Sequence, residues 1–143
     1  YSLPIDTRFH IPMLDQTTVN TIMTQFRRAY GAADADGLRA ILTGDFVWHM
    51  HYGAAADQTP TGRVLSGVDA MMEELQWRRK HWSNVEYDNL VERPANDLVL
   101  QTFTTKGLDQ SGAPFHVNVV DLYAVRDEKI YRKDTYWKQM SFR

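Results

Sequence analysis

Two short stretches carry residues that could do chemistry. In DFVWHMHYG, residues 45–53, His49 and His51 stand one residue apart. Metal sites use that spacing, but such a site wants a third ligand. In FHVNVVDLYAV, residues 115–125, Asp121 stands in a mostly apolar run. A carboxyl in apolar surroundings has its charged form disfavoured. It can then take or give a proton near neutrality, or donate a hydrogen bond to a developing oxyanion.

Which of these groups can meet depends on strand faces. Alternation in the second stretch puts Phe115, Val117, Val119, Asp121, Tyr123 and Val125 together, with His116 and Asn118 on the opposite face. The first face is apolar apart from Asp121 and a phenol, so it should turn inward. The plain alternative for Asp121 is a buried carboxylate bonded to backbone, Arg or Lys. In the first stretch Phe46, Trp48, Met50 and Tyr52 share the inward face. His49 and His51 then look outward, as does His116. A Glu four residues beyond the His pair would strengthen a metal reading, but positions 55 and 56 are Ala. No metal site is therefore expected. Entry of His51 into a pocket through strand twist stays open.

These strands need a scaffold. The 143 residues suit one domain. Net charge is −2 with mixed signs and no basic run, which argues against nucleic acid. No run approaches the roughly 18 apolar residues of a membrane span. Cysteine is absent, which excludes thiolate nucleophiles, disulfides and Cys-bound metals. A cytoplasmic address fits. Residues 1–14 read as an extended arm, and 15–143 as a single α+β domain.

In that domain Asp15 or Thr17 caps a first helix with the stripe Val19, Ile22, Met23, Phe26, Ala29 and Tyr30. Asp34 or Asp36 starts a second, with Leu38, Ile41 and Leu42 inward and Gly44 as its stop. A strand over 46–52, a loop over 53–60 and a short strand over 62–65 follow. A third helix over 66–80 has Ser66 and Asp69 at capping-box spacing and a stripe of Val68, Met71, Met72 and Leu75. Strands over 85–91, 98–105, 115–125 and 130–137 complete the chain. The 85–91 segment alternates at first and then blurs. Three helices over one face of a curved, mainly antiparallel sheet is the expected architecture.

FRRAYGAADADGLRAIL, DFVWH, GRVLSGVDAMMEEL and DEKIYRKDTYW, in that order, resemble the nuclear-transport-factor-two-like (NTF2-like) superfamily and its SnoaL-like polyketide cyclases. The resemblance covers roughly residues 15–140. It implies a cone-shaped α+β roll of the cystatin-like type, with an apolar pocket between sheet and helices. It also implies acid–base chemistry without metal or organic cofactor, and a homodimer through the convex sheet face. Asp121 matches the strand position where ketosteroid isomerases hold a protonated aspartate. Met50 occupies the position of their base, and Ala29 falls near that of their tyrosine, so isomerase activity on steroids is rejected.

The cyclases' acid on the last strand aligns with Thr135, one residue past Asp134. Asp134 would reach the pocket only through a bulge, and would otherwise be an ion-pair partner. The Asp–His pair of scytalone-dehydratase-like proteins would need Asp34 and His81. A helix cap suffices to explain Asp34.

The expected pocket joins Trp48, Met50, Tyr52, Phe26, Tyr30, Met72, Val119, Tyr123 and Trp137. Asp121 is its main acid, Asp134 the second candidate, with Lys133, Thr135 and His51 as polar companions. The expected function is proton transfer on an apolar ring compound bearing a carbonyl or hydroxyl. The rival is a non-catalytic cone that binds a hydrophobic ligand or serves in oligomerisation.

Overall fold

The computed structural model describes residues 13–53 and 59–138. Most of the expected arm and the tip of the 53–60 loop lie outside the described residues. Helix α1 (Gln16–Ala32) starts where Asp15 accepts from the Thr18 N–H, so one orphan donor is satisfied at the first turn. Its predicted stripe is buried, with Tyr30 half-buried at the end. Helix α2 (Ala35–Ile41) starts at Asp34, whose carboxylate accepts from the Gly37 N–H. Strand β1 (Leu42–His51) follows without a loop. Leu42 and Gly44, expected in and just after the helix, belong to this strand instead. The β-branched and aromatic run after them outweighs glycine as a stop signal.

Strand β2 (Arg63–Ser66) pairs with β1 and leads into α3 (Gly67–His81). The expected Ser66–Asp69 capping box does not form. Ser66 makes no side-chain cap bond, and Asp69 pairs with Arg39 at 3.1 Å. Strands β3 (Ser83–Ala95), β4 (Leu98–Leu108), β5 (Pro114–Arg126) and β6 (Lys129–Trp137) complete one sheet of order β2-β1-β6-β5-β4-β3. Among the described residues, only the β1–β6 pair is parallel.

The pairing of β3 with β4 slips twice, between Ser83 and Glu86 and between Asp88 and Val91. Asn84 and Asn89 sit inside these slips at φ 54° and 57°. Asn tolerates the left-handed conformation, and bulges of this kind bend a strand. They are also why the sequence alternation of this segment fades. The helices supply Val19, Met23, Phe26, Leu38 and Met71 to a core whose sheet side is Phe46, Trp48, Val99, Tyr123 and Ile130. Among the described residues, no helix is long and apolar enough to cross a membrane.

Candidate active site

The inward faces of β4, β5 and β6 meet the ends of α1 and α3 around a cavity of about 290 Å³. Strand register places its polar groups. Asp121 lies opposite Gln101 on β4 and Thr135 on β6, and Tyr123 lies opposite Lys133. Lys133 is in turn the parallel partner of Trp48. All of these side chains line the cavity, with Phe26 and Tyr30 from α1 and Trp137 from the end of β6.

Asp121 is 2 % exposed. Burial pushes its carboxyl up, and the charge of Lys133 and the Thr135 hydrogen bond only partly oppose this. The hydrogen bonds around it have a fixed direction. The Trp48 indole N–H donates to Thr135 Oγ1 at 2.9 Å. An indole can only donate, so the single hydroxyl proton of Thr135 is left for Asp121 Oδ1, which accepts it in a short bond.

The other side is set from further out. The Glu92 carboxylate accepts from Arg27 Nε at 3.1 Å and from Gln101 Nε2 at 2.8 Å. The Gln101 amide oxygen therefore faces Tyr123 and accepts the phenol proton at 2.8 Å. That proton is spent, and the phenol oxygen lies 3.5 Å from Asp121 Oδ2, at the limit of a hydrogen bond. Among the described residues, Asp121 Oδ2 has no committed donor, and Asp121 has no ion-pair partner within 4 Å.

Lys133 is 3 % exposed. Its ammonium lies 4.3 Å from the ring centroid of Tyr30, 4.5 Å from Trp48, 5.3 Å from Phe26 and 5.6 Å from Tyr123. Burial lowers it to about 8, against the pull of Asp121 and with the help of Arg78. Arg78 on α3 closes the other end. Its guanidinium donates to the Tyr30 hydroxyl at 3.3 Å and, in a short bond, to that of Tyr52. It also lies 4.8 Å from the Trp82 ring centroid. Burial opposes its charge, but the phenols and Glu74 keep it protonated.

Several expected lining residues sit elsewhere. Met50 and Val119 turn inward but are core, 3 % and 1 % exposed, and line no part of the cavity. Met72 packs half-buried against the core. Tyr52 stands behind the wall, stacked on Trp137 at 4.5 Å and bonded to Arg78. His51 and Asp134 are on the outer sheet face. No bulge rotates Asp134 inward, because β6 pairs in regular register with β5 from Arg132 to Trp137. His51 Nε2 contacts Asp134 at 3.0 Å, and Arg132 grips the same carboxylate at 2.7 Å. Burial raises this carboxyl, but bonds from Arg132 and His51 hold it below its usual range.

A group depressed in the folded state stabilises above its unfolded pKa and loses that contribution as pH falls. Asp134→Asn is therefore expected to cost about 1 kcal/mol at pH 7, with the gap closing below pH about 4. Urea unfolding at pH 7 and through the acid range below pH about 4 measures it. Asp34 and His81 do not come together at the cavity either. Asp34 caps α2, and His81 bonds the Trp77 carbonyl at 2.8 Å. His49 bonds the Thr61 carbonyl at 2.8 Å. Among the described residues, no cluster of three or more His, Asp or Glu is placed to hold a metal ion.

Arg78, Gln101, Phe103, Thr105, Trp82 and Tyr87 also line the cavity, beyond the residues expected from the sequence. Two signals pointed to some of them. Arg78 follows Met71 and Leu75 by seven and three residues, so it lies on their stripe. Gln101, Phe103 and Thr105 share the face of buried Val99 at period two.

A family model described as a SnoaL-like domain matches residues 23–133. Among solved structures, an NTF2-like protein from Burkholderia xenovorans is similar over 88 % of this chain and 92 % of its own, with 23 % identity and a TM-score of 0.72. A candidate polyketide cyclase from Xanthomonas campestris pv. campestris is similar over 86 % and 92 %, with 18 % identity and a TM-score of 0.65. A protein of ketosteroid isomerase-like fold from Catenulispora acidiphila, in complex with trimethylamine, is similar over 82 % and 85 %, at 19 % and 0.64. At these identities the structural likeness speaks for the fold. Among curated proteins, none matches this chain.

Proposed function

Because the chain belongs to the SnoaL-like family of the NTF2-like superfamily, we propose that it is a small-molecule enzyme in which Asp121 moves a proton on an apolar, carbonyl- or hydroxyl-bearing ring compound. One observation carries this reading: Asp121 Oδ2 faces an open cavity without a committed donor, while Oδ1 is fixed by Thr135. The anchored oxygen aims the carboxyl, and the other is left for a substrate proton. With its proton on, Asp121 donates to a developing oxyanion; without it, Asp121 is the base. Proton transfer of this kind needs neither metal nor organic cofactor.

A purely binding cone would have satisfied its polar groups already. Here Asp121 Oδ2 and the Lys133 ammonium are both left with capacity, which favours catalysis. The cation-binding face is also filled: Trp48, Tyr30 and Phe26 already surround Lys133. A ligand cation such as the trimethylamine of the Catenulispora structure would meet like charge here.

The test is solvent-deuterium incorporation at the carbons next to the carbonyl of cyclic ketones, followed by NMR. Asp121-dependent exchange supports the reading, and exchange no faster than in buffer across the ketones overturns it.

A second copy of the chain is the proposed partner on the outer sheet face. Val120 and Tyr136 pair across β5 and β6 there, 37 % and 44 % exposed. Sedimentation at micromolar concentration is expected to show a dimer that Tyr136→Lys dissociates. A monomer throughout removes the proposal.

A further inference from the structure

The cavity has more positive charge than its acid can answer. Among the described residues, Arg27, Arg78 and Lys133 line it, against Asp121 alone. Arg27 is matched by Glu92 at 3.1 Å. Arg78 donates to two phenols, and its Nε, which makes no hydrogen bond among the described residues, lies 4.0 Å from the Glu74 carboxylate that Arg63 holds at 3.0 Å. Lys133 has only aromatic faces. Among the described residues its ammonium donates no hydrogen bond and lies within 4 Å of no carboxylate. An ammonium carries three donors, and a buried one without an acceptor is costly. The aromatic rings offset part of that cost, but they accept no directed bond. The missing acceptor has to come from what enters the cavity.

Resting on the acid–base reading above and narrowing its substrate class, we infer that the ligand is a ring compound bearing a carboxylate that accepts a hydrogen bond from Lys133. The walls offer apolar surface for a ring: Trp82 packs on Trp137 with centroids 5.7 Å apart and Tyr87 on Phe103 at 5.8 Å, and all four line the cavity around its polar floor. The carboxylate fits the charge, because it is ionised at neutral pH and satisfies Lys133 before any proton moves. Asp121 stays compatible with such an anion. Burial favours its protonated form, and that form can donate to the same ligand.

The experiment compares cinnamate with cinnamamide, its neutral analogue of the same shape, by calorimetry on the full chain. At pH 7 the acid is expected to bind at least about tenfold more tightly. Lys133→Met should bring the two within about twofold by weakening only the acid. Raising the pH from 7 to 10 should also weaken the acid alone, as Lys133 loses its proton among Asp121, Arg78, Tyr30 and Tyr123. Equal binding of acid and amide by the unaltered protein overturns the inference. So does a preference that survives Lys133→Met, and so does no cinnamate binding at millimolar concentration. Deuterium exchange on neutral ketones reads Asp121 independently. Loss of the acid preference with exchange intact overturns this inference alone, and loss of exchange with the preference intact overturns the acid–base reading alone.

Discussion

Asp121→Asn is expected to lower ketone deuterium exchange by about 10²- to 10⁴-fold, the usual contribution of a positioned acid or base. The substitution keeps shape and removes the proton-carrying function. The amide oxygen can still take the Thr135 hydroxyl bond, and the amide nitrogen then faces Tyr123 and the cavity. The fold should hold: burial already disfavours the charge at this position, so a neutral group of the same size costs little. The loss should fall on kcat with KM changing little, because Asp121 would act on the proton rather than on the bulk of the ring. Thr135→Val is the companion variant. It frees Oδ1 while leaving the carboxyl in place, so it should retain part of the rate. Full exchange activity in Asp121→Asn would move the acid–base role to another group.

The second large effect concerns stability. Lys133 is lowered by burial from 10.5 to about 8. Below pH 8 the folded protein holds a buried charge that the unfolded chain would keep in water. Between pH 8 and 10.5 the unfolded chain binds more protons than the folded one, so stability rises with pH across that window. The penalty at neutral pH is about 3 kcal/mol from this shift, less what the four rings return through cation–π contact. Lys133→Met removes the charge and keeps an unbranched side chain of similar reach. It is therefore expected to stabilise the fold by about 1–3 kcal/mol at pH 7, and to abolish the rise between pH 8 and 10.5. Asp121 would hold its proton to higher pH without its neighbour's charge. Urea unfolding of both proteins at pH 7 and pH 10 measures this, and a less stable Lys133→Met at pH 7 contradicts it. A site that is costly to the fold is one built for something other than the fold.

Strand alternation made much of this cavity legible. Period two in residues 115–125 turned Asp121 and Tyr123 inward, and the same rule placed Lys133, Thr135 and Trp137 on one face of β6. The α1 stripe followed from spacing alone. What alternation cannot supply is depth. Met50 and Val119 face the right way, yet they sit in packed core, because facing inward and bordering a void are different properties. Arg78 was hidden in QWRRKH, a basic run that reads as ordinary helix C-terminal charge. Its neighbours Arg79 and Lys80 are exposed, and only the count back to Leu75 and Met71 separates them. Gln101 and Thr105 were hidden by strand neighbours that read as plain β-formers. Asp134 shows the rule at its sharpest: one residue of offset from Thr135 sets it on the opposite side of the sheet, in the grip of Arg132 and His51.

The line from Arg27 through Glu92, Gln101 and Tyr123 has a consequence for control. Its outer member is 43 % exposed, and its inner member abuts Asp121. Arg27 can only donate and the Glu92 carboxylate only accept, whereas Gln101 and Tyr123 each have a donor and an acceptor end, so that inner pair points one way at a time. The anion of Glu92 chooses that way. With that anion in place, the Gln101 amide oxygen faces Tyr123 and holds the phenol proton away from Asp121 Oδ2. The cavity thus has a polarity selector in Glu92, which does not line it: one buried anion fixes which way the groups beside Asp121 point.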